Sequence, residues 1–293
     1  MTNVIKIANK IIGDGHPCFI IGEIGINHNG SIELAKQLIA EAKECGCDAV
    51  KLQKRTVDVV YTKEELERSR PNHFGETNGD LKRGLEFGYE EFKEIVEYCK
   101  SLDIIWFASC WDEQSVDFIE QFNPPCYKIA SACLADKELL EYTKATGKPI
   151  LLATGMSTLE EIDAAMKILC DTQVAILQCT STYPASVDEL NLSIIPQFKE
   201  RYKVPVGYSG HEKGIAPSFM AVGLGACIVE RHITIDRTLW GSDQAASLEP
   251  EGLRRMVRDI RNLPLMLGNP KKALLETEIP IRNKLRRKST ILC

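Results

Sequence analysis

The side chains best suited to chemistry in this sequence gather at the ends of short apolar runs. Glu23 follows Phe19-Ile20-Ile21-Gly22, Lys51 and Gln53 belong to Ala49-Val50-Lys51-Leu52-Gln53, and Lys128 sits within Tyr127-Lys128-Ile129. Ser109, Ser131, Thr154, Ser181 and Ser209 take comparable positions further along, Tyr183 and His211 follow closely, and Cys227-Ile228-Val229 runs into Glu230-Arg231-His232. A lysine flanked by apolar β-formers either snorkels at a rim or points into a closed interior. Pointing inward, Lys51 and Lys128 with Ser109, Ser131 and Ser209 make a cradle for a doubly charged phosphate. His211 and His232 admit a structural role, a general base or a metal site. Their places at the ends of successive runs, with Glu230 nearby, favour a borderline divalent ion such as Mn, Co, Zn or Fe with open coordination positions. His28, in Ile26-Asn27-His28-Asn29-Gly30, is read as shaping a tight turn.

Such residues need a scaffold that brings run ends together. Apolar runs at 19–24, 49–53, 104–109, 126–130, 150–154, 174–178, 206–208 and 227–231 alternate with helix-periodic segments at 31–46, 90–102, 113–122, 136–146, 158–170, 188–201, 214–224 and 250–266. Continuous apolar character fits parallel strands buried on both faces. Ser31, Ser157-Thr158-Leu159-Glu160 and Pro250 supply helix starts. Eight strand–helix pairs in order predict an α/β fold, a (β/α)8 TIM barrel whose reactive groups lie at the C-terminal strand ends. An open doubly wound sheet fits less well, because no GxGxxG turn is present. Residues 4–12 are expected to form a short hairpin at the barrel floor, 55–89 a long polar connection suited to substrate binding, and about 280–293 a basic tail, all within one domain over 1–293.

Composition excludes several classes. With 44% hydrophobic and 26% charged residues, the chain reads as an ordinary globular protein, and a net charge of −5 gives no reason to expect nucleic acid. No apolar stretch is long enough for a membrane span and no signal-peptide pattern opens the chain. The 11 cysteines are scattered without a CxxC pair, which points to buried thiols in a reducing cytoplasm.

The ordered motifs resemble the sialic acid synthase family, which includes the animal sialic acid 9-phosphate synthases. They are Glu23-Ile24-Gly25-Ile26-Asn27-His28-Asn29-Gly30, Lys51-Leu52-Gln53, Tyr127-Lys128-Ile129 with Ser131, and Thr154-Gly155-Met156. Gln178-Cys179-Thr180-Ser181-Thr182-Tyr183-Pro184, Gly207-Tyr208-Ser209-Gly210-His211-Glu212 and Glu230-Arg231-His232-Ile233-Thr234 continue the series, followed by Gly241-Ser242-Asp243 and Ala246-Ser247-Leu248-Glu249-Pro250. The resemblance implies a synthase that condenses phosphoenolpyruvate with N-acetylmannosamine or a related, optionally 6-phosphorylated, amino sugar, as a cytoplasmic homodimer. It implies a metal on His211 and His232, Mn2+ first with Co2+ or Mg2+ as alternatives. Lys51, Ser109, Lys128, Ser131, Ser181 and Ser209 would bind phosphoenolpyruvate. Glu23, Gln53, Asn72, Tyr183 and Asp243 would face the sugar, with Glu23 also handling protons and Glu230 a catalytic carboxylate. Ala153 stands where many relatives place a phosphate-binding serine, so Thr154 or a backbone amide is the expected substitute. For a phosphorylated sugar, Arg55, Lys82 and Arg83 are the candidate partners. The family normally continues into an antifreeze-like C-terminal domain, and this sequence stops about where its linker would begin.

Two rivals stand against this reading. Another phosphoenolpyruvate-dependent barrel, making an octulosonate or heptulosonate phosphate, would carry different metal and aldehyde motifs. A non-catalytic sugar-binding or interaction barrel would have no chemical need for Glu23, Lys51, His211 and His232 together.

Overall fold

The computed structural model describes residues 4–287. Eight parallel strands close into one barrel: β1 Phe19–Gly25, β2 Ala49–Lys54, β3 Ile105–Cys110, β4 Tyr127–Ile129, β5 Ile150–Ala153, β6 Val174–Cys179, β7 Val206–Gly210 and β8 Ile228–His232. Every residue of β1, β4, β5, β6, β7 and β8 is buried, because helices cover the outer face and side chains fill the inner one. This is the (β/α)8 barrel expected from the sequence.

The helices begin where local chemistry satisfies their free amides. Ser31 accepts from Leu34 N at the head of Ile32–Glu44, and Thr158 with Glu161 forms a capping box for Leu159–Ile168. The segment expected to be helical from 188 starts only at Ile194. A 3-10 turn at Val187–Glu189 and the left-handed backbone of Asn191, φ 46°, intervene.

Val4–Ile7 pairs antiparallel with Lys10–Gly13. Ile5, Ile7 and Ile12 pack with Phe19, Ile21, Phe107, Leu151, Ala175, Leu177 and Ile228, a second apolar cluster that fills the lower barrel. A cavity of about 820 Å3 lies beside this hairpin, against Gln173, Val174 and Pro205 at the strand N-termini. It is on the face opposite the strand ends that carry the charged groups, which is why it is not taken as the reactive site.

The connection after β2 has structure of its own. Val57–Val60, Lys63–Glu67 and Asn78–Gly84 are short helices around a hairpin of Ser69–Asn72 and Gly75–Thr77. The chain forms two compact units, one ending at Arg261 and one starting at Asn262. The second contains the 3-10 turn Glu276–Glu278 and the helix Ile279–Leu285, which takes up the first part of the basic tail expected over about 280–293; from Lys288 that tail lies outside the described residues. No described helix is long and apolar enough to cross a membrane.

Candidate active site

Strand register alone assembles the centre of the catalytic face. His232 pairs with Glu23, Glu23 with Lys51, Gln53 with Ser109, Ser109 with Lys128, and Ser209 with Glu230. Groups from strands on opposite sides of the barrel then meet in its middle. Lys128 Nζ donates to Glu230 Oε1 at 2.7 Å across 102 residues of sequence, and Lys51 Nζ lies 3.1 Å from the same oxygen. Ser209 Oγ donates to it as well, at 3.1 Å. Glu23 accepts from Gln53 Nε2 at 3.0 Å and stands 3.3 Å from Lys51 Nζ. All four charged groups are buried: Glu23 0% exposed, Lys128 2%, Glu230 3% and Lys51 4%.

Burial drives these groups apart in acidity. Burial pushes the Glu23 carboxyl up to about 7, against the pull of Lys51. Burial also acts to raise Glu230, but Lys128 and Lys51 outweigh it and hold that carboxyl well below the usual range. Burial lowers Lys128 despite Glu230, whereas for Lys51 the lowering by burial is reversed by Glu23 and Glu230. One carboxylate is thus fixed as an anion, and the other is poised to hold a proton near neutrality.

The chain positions Glu23 with a bulge. The β1–β2 register shifts between Glu23 and Gly25, and Gly25 has φ 52°. A Cβ on Gly25 would stand 3.1 Å from both Glu23 Oε1 and His232 Cε1, so glycine is needed for backbone conformation and for space.

The imidazoles of His211 and His232 lie 5.3 Å apart by ring centroid, with the Tyr183 ring 4.1 Å from the first and 5.8 Å from the second. The loop after β6 is tied there by Ala185 N donating to His211 O at 3.0 Å, just past the cis Tyr183–Pro184 bond. His211 Nδ1 faces the Thr180 carbonyl at 2.7 Å; donating its proton there leaves Nε2 as the free lone pair. His232 Nδ1 is buried with no hydrogen-bond partner. Burial, His211 and Lys51 keep the His232 ring in its neutral, ligating form. The carboxylate in ion-pair range of the rings is Asp243, 3.8 Å from His232 Nδ1, while Glu230 is turned to the lysines. Among the described residues no group of three or more His, Cys, Asp or Glu forms a closed metal cage. Two imidazoles, one with a free buried nitrogen, fit an open catalytic metal whose remaining positions belong to substrate and water.

A cavity of about 200 Å3 joins these features. Glu23, Lys51, Gln53, Ser109, Lys128, Ser131, Ser181, Tyr183, Ser209, His211, Glu230 and His232 all line it, as expected from the sequence. Three sequence candidates do not. Asn72 is spent on its own hairpin, donating to Arg70 O and Thr77 O and accepting from Phe74 N. Thr154 donates its hydroxyl to the Leu177 carbonyl, so it does not replace the serine absent at Ala153. Asp243 stands outside the wall, beside His232.

Trp111, Met156 and Cys179 also line the cavity. Trp111 follows the last residue of β3, and drawing that strand to 110 would have exposed it to the strand-end rule. Atoms of Glu23, Ser109, Trp111, Glu230 and His232 in this cavity are buried without hydrogen-bond partners. Unsatisfied groups are costly to bury and here they converge on one space, as a site built for a polar ligand requires.

Gly155 lets two hydroxyls close in. Its N–H donates to Ser131 Oγ at 3.0 Å, and a Cβ there would lie 2.2 Å from Ser181 Oγ and 2.8 Å from Ser131 Oγ. Gly155→Ala is therefore expected to raise the KM for the anionic substrate by roughly tenfold or more through loss of hydroxyl contacts. Steady-state kinetics with that substrate varied checks it, and an unchanged KM would place the anion elsewhere.

A buried clamp lies directly behind the histidines. Arg231, next to His232, donates to Glu212, next to His211, at 2.8 Å, and also to the Gly214 carbonyl and Ser218 Oγ, with both charged side chains 0% exposed. Arg231→Met would strand the Glu212 carboxylate and is expected to cost about 3–5 kcal/mol in denaturant unfolding. A loss under about 1 kcal/mol would show that the clamp does not hold these loops.

A match to the NeuB family spans residues 38–272. The chain is 40% identical over 279 residues to N-acetylneuraminate-9-phosphate synthase of Mus musculus, covering 94% of this chain and 78% of that protein. It is 35% identical over 289 residues to N,N'-diacetyllegionaminic acid synthase of Legionella pneumophila, covering 95% and 81%. The solved N-acetylneuraminic acid (sialic acid) synthetase of Leptospira borgpetersenii superposes with a TM-score of 0.83 at 33% identity, over 98% of this chain and 99% of that one. A truncated 3-deoxy-D-arabino-heptulosonate 7-phosphate synthase of Thermotoga maritima, at 17% identity and a TM-score of 0.71, shares the fold.

Proposed function

The chain belongs to the NeuB family, and from that membership we infer that it is a nonulosonate synthase: it condenses phosphoenolpyruvate with an N-acyl amino sugar and releases phosphate by C–O cleavage. The observation that carries the reading within this chain is the cavity where two lysines, two carboxylates of opposed acidity and two imidazoles converge. The heptulosonate-type rival is left with a likeness of fold.

In the reaction, carbon 3 of the enol uses its double-bond electrons to attack the aldehyde carbon. Positive charge develops at carbon 2, water adds there, and the tetrahedral intermediate breaks its bond to the phosphate oxygen, leaving a 2-keto acid. Lys51 and Lys128 with Ser109, Ser131, Ser181 and Ser209 are proposed to hold the anionic substrate. The anion competes with Glu230 for both ammonium groups, so each cation moves between two negative partners without losing charge compensation. Glu230 then faces carbon 2, where its fixed negative charge stabilises the developing cation. Added anionic charge raises Glu23 further, which makes Glu23 the group holding the proton that the new hydroxyl needs. Gln53 and Tyr183 are proposed to orient the sugar chain, and Asp243 to steady His232 from outside the wall.

The family depends on a divalent metal, and His211 with His232 are the proposed ligands, with Mn2+ the proposed ion. When bound it supplies Lewis-acid polarisation of the aldehyde oxygen. The same reading proposes a homodimer in the cytoplasm, a setting supported by ten unpaired cysteines among the described residues.

Phosphoenolpyruvate labelled with heavy oxygen in its C–O–P bridge tests the proposed chemistry. Label appearing in the released phosphate, with a product three carbons longer than the sugar, is the expected result. Label retained in the organic product would mean P–O cleavage and would overturn the mechanism.

A further inference from the structure

The cavity of the reactive centre holds a hydrogen-bond donor that the chemistry proposed above does not use. Trp111 lines the cavity, and its indole Nε1 is buried there without a partner. Its surroundings fix the ring. The Trp111 backbone N–H donates to the Lys54 carbonyl at 3.1 Å. The next residue, Asp112, accepts from the backbone N–H and the hydroxyl of both Thr56 and Ser115, at 2.7 to 2.8 Å. The indole also faces the Arg55 guanidinium, whose central carbon stands 5.5 Å from the ring centroid, and Arg55 is itself buried and held by Glu86 and Tyr61. A buried N–H with no acceptor is costly, and a ligand oxygen placed in the cavity would remove that cost.

Strand register indicates which ligand the donor meets. Trp111 follows the last residue of β3 and stands two residues beyond Ser109, so both side chains leave the strand on the same side. Ser109 Oγ is likewise buried without a partner. Ser109 pairs with Lys128, and Ile129 pairs with Leu152. Carrying those pairings onward sets Trp111 level with Ala130, and Ala130 beside Ala153. Both alanines line the cavity and neither side chain can donate, while the neighbouring Thr154 gives its hydroxyl to the Leu177 carbonyl. Of these three positions on β3, β4 and β5, only Trp111 offers a side-chain donor. It is also uncommitted, whereas Lys51 and Lys128 already share the Glu230 carboxylate.

We propose that the Trp111 Nε1–H donates to an oxygen of phosphoenolpyruvate beside Ser109, a role that rests on the synthase reading. An indole N–H donates without giving up its proton, so the role is to bind and orient the anion rather than to move a proton. Loss of the donor should therefore act on the affinity for phosphoenolpyruvate and leave the chemical step nearly intact.

Trp111→Phe keeps an aromatic ring against Arg55 and removes the N–H. Phosphoenolpyruvate binding, measured by calorimetry without sugar, is expected to weaken by about tenfold in that variant. KM for phosphoenolpyruvate should rise in step, with kcat and the KM for the sugar within about twofold of wild type. A direct readout is the nitrogen–proton correlation spectrum of labelled protein. The chain has three tryptophans, and the indole signal that Trp111→Phe removes should move downfield when phosphoenolpyruvate saturates the wild type. If Trp111→Phe fails to fold, Trp106→Phe and Trp240→Phe identify the same signal by elimination. A signal that phosphoenolpyruvate leaves in place, an unchanged affinity in Trp111→Phe, or a loss confined to the sugar would each overturn the proposal. A wild type that binds no phosphoenolpyruvate would instead remove the synthase reading and the proposal with it, an outcome visible without any variant.

Discussion

Alanine in place of His211 or His232 is expected to bring turnover below about a thousandth of wild type, because either change removes a proposed ligand of the aldehyde-polarising metal. The barrel should survive both. Among the described residues the only hydrogen bonds the imidazoles hold are the Thr180 carbonyl contact and the 3.8 Å contact of His211 Nδ1 with the Cys179 thiol, and the Arg231–Glu212 clamp that fixes the two loops remains. Metal titration read by calorimetry, alongside thermal unfolding, separates the two effects. Lost metal affinity with an unfolding midpoint near wild type is the expected pair of results. Full turnover in either variant would remove the histidines from the chemistry.

Glu23→Gln is the second large effect. A side chain that holds the reaction's proton cannot be replaced by an amide, so turnover should fall by roughly a hundredfold to ten-thousandfold. In the wild type, kcat/KM should decline as pH rises through about 7, where the free enzyme loses that proton. Stability follows the same carboxyl with a definite sign. Below the ordinary value of 4.5 the group is protonated in folded and unfolded chains alike. Between there and about 7 only the folded chain keeps the proton, so stability falls with rising pH, and above about 7 the full cost is present. The amide carries no such cost. The variant should therefore match or exceed wild-type stability at pH 8, by on the order of 2 kcal/mol, and show no such gain at pH 4. An inactive variant that is also less stable at pH 8 would indicate that Glu23 is structural. A wild-type profile flat from pH 6 to pH 9 would deny it the proton-holding role.

Most of the barrel could be read from the chain because buried parallel strands leave continuous apolar runs, and a lysine, glutamate or histidine inside such a run stands out. Lys51, Lys128 and Glu230 were visible for that reason. Their mutual contact was not, since Lys128 and Glu230 meet across the barrel from positions 102 residues apart. A boundary error of one residue at β3 hid Trp111. The connection after β2 was recognisable only as long and polar, because helices of four to seven residues and a three-residue strand are too short for periodicity to register. The hairpin that Asn72 closes, and the pairing of Arg55 and Arg83 with acidic neighbours, are invisible in the sequence for the same reason; the place of Asn72 against the sugar comes from the family resemblance alone.

The claim that most needs direct proof is acceptor-dependent consumption of phosphoenolpyruvate. Inorganic phosphate release should be followed with Mn2+ present, first without sugar and then with N-acetylmannosamine or its 6-phosphate. No release is expected without an acceptor, and one phosphate per acceptor consumed is expected once a sugar is added, abolished by a chelator. Release without any sugar, or none with either sugar while phosphoenolpyruvate still binds, would contradict a condensing synthase.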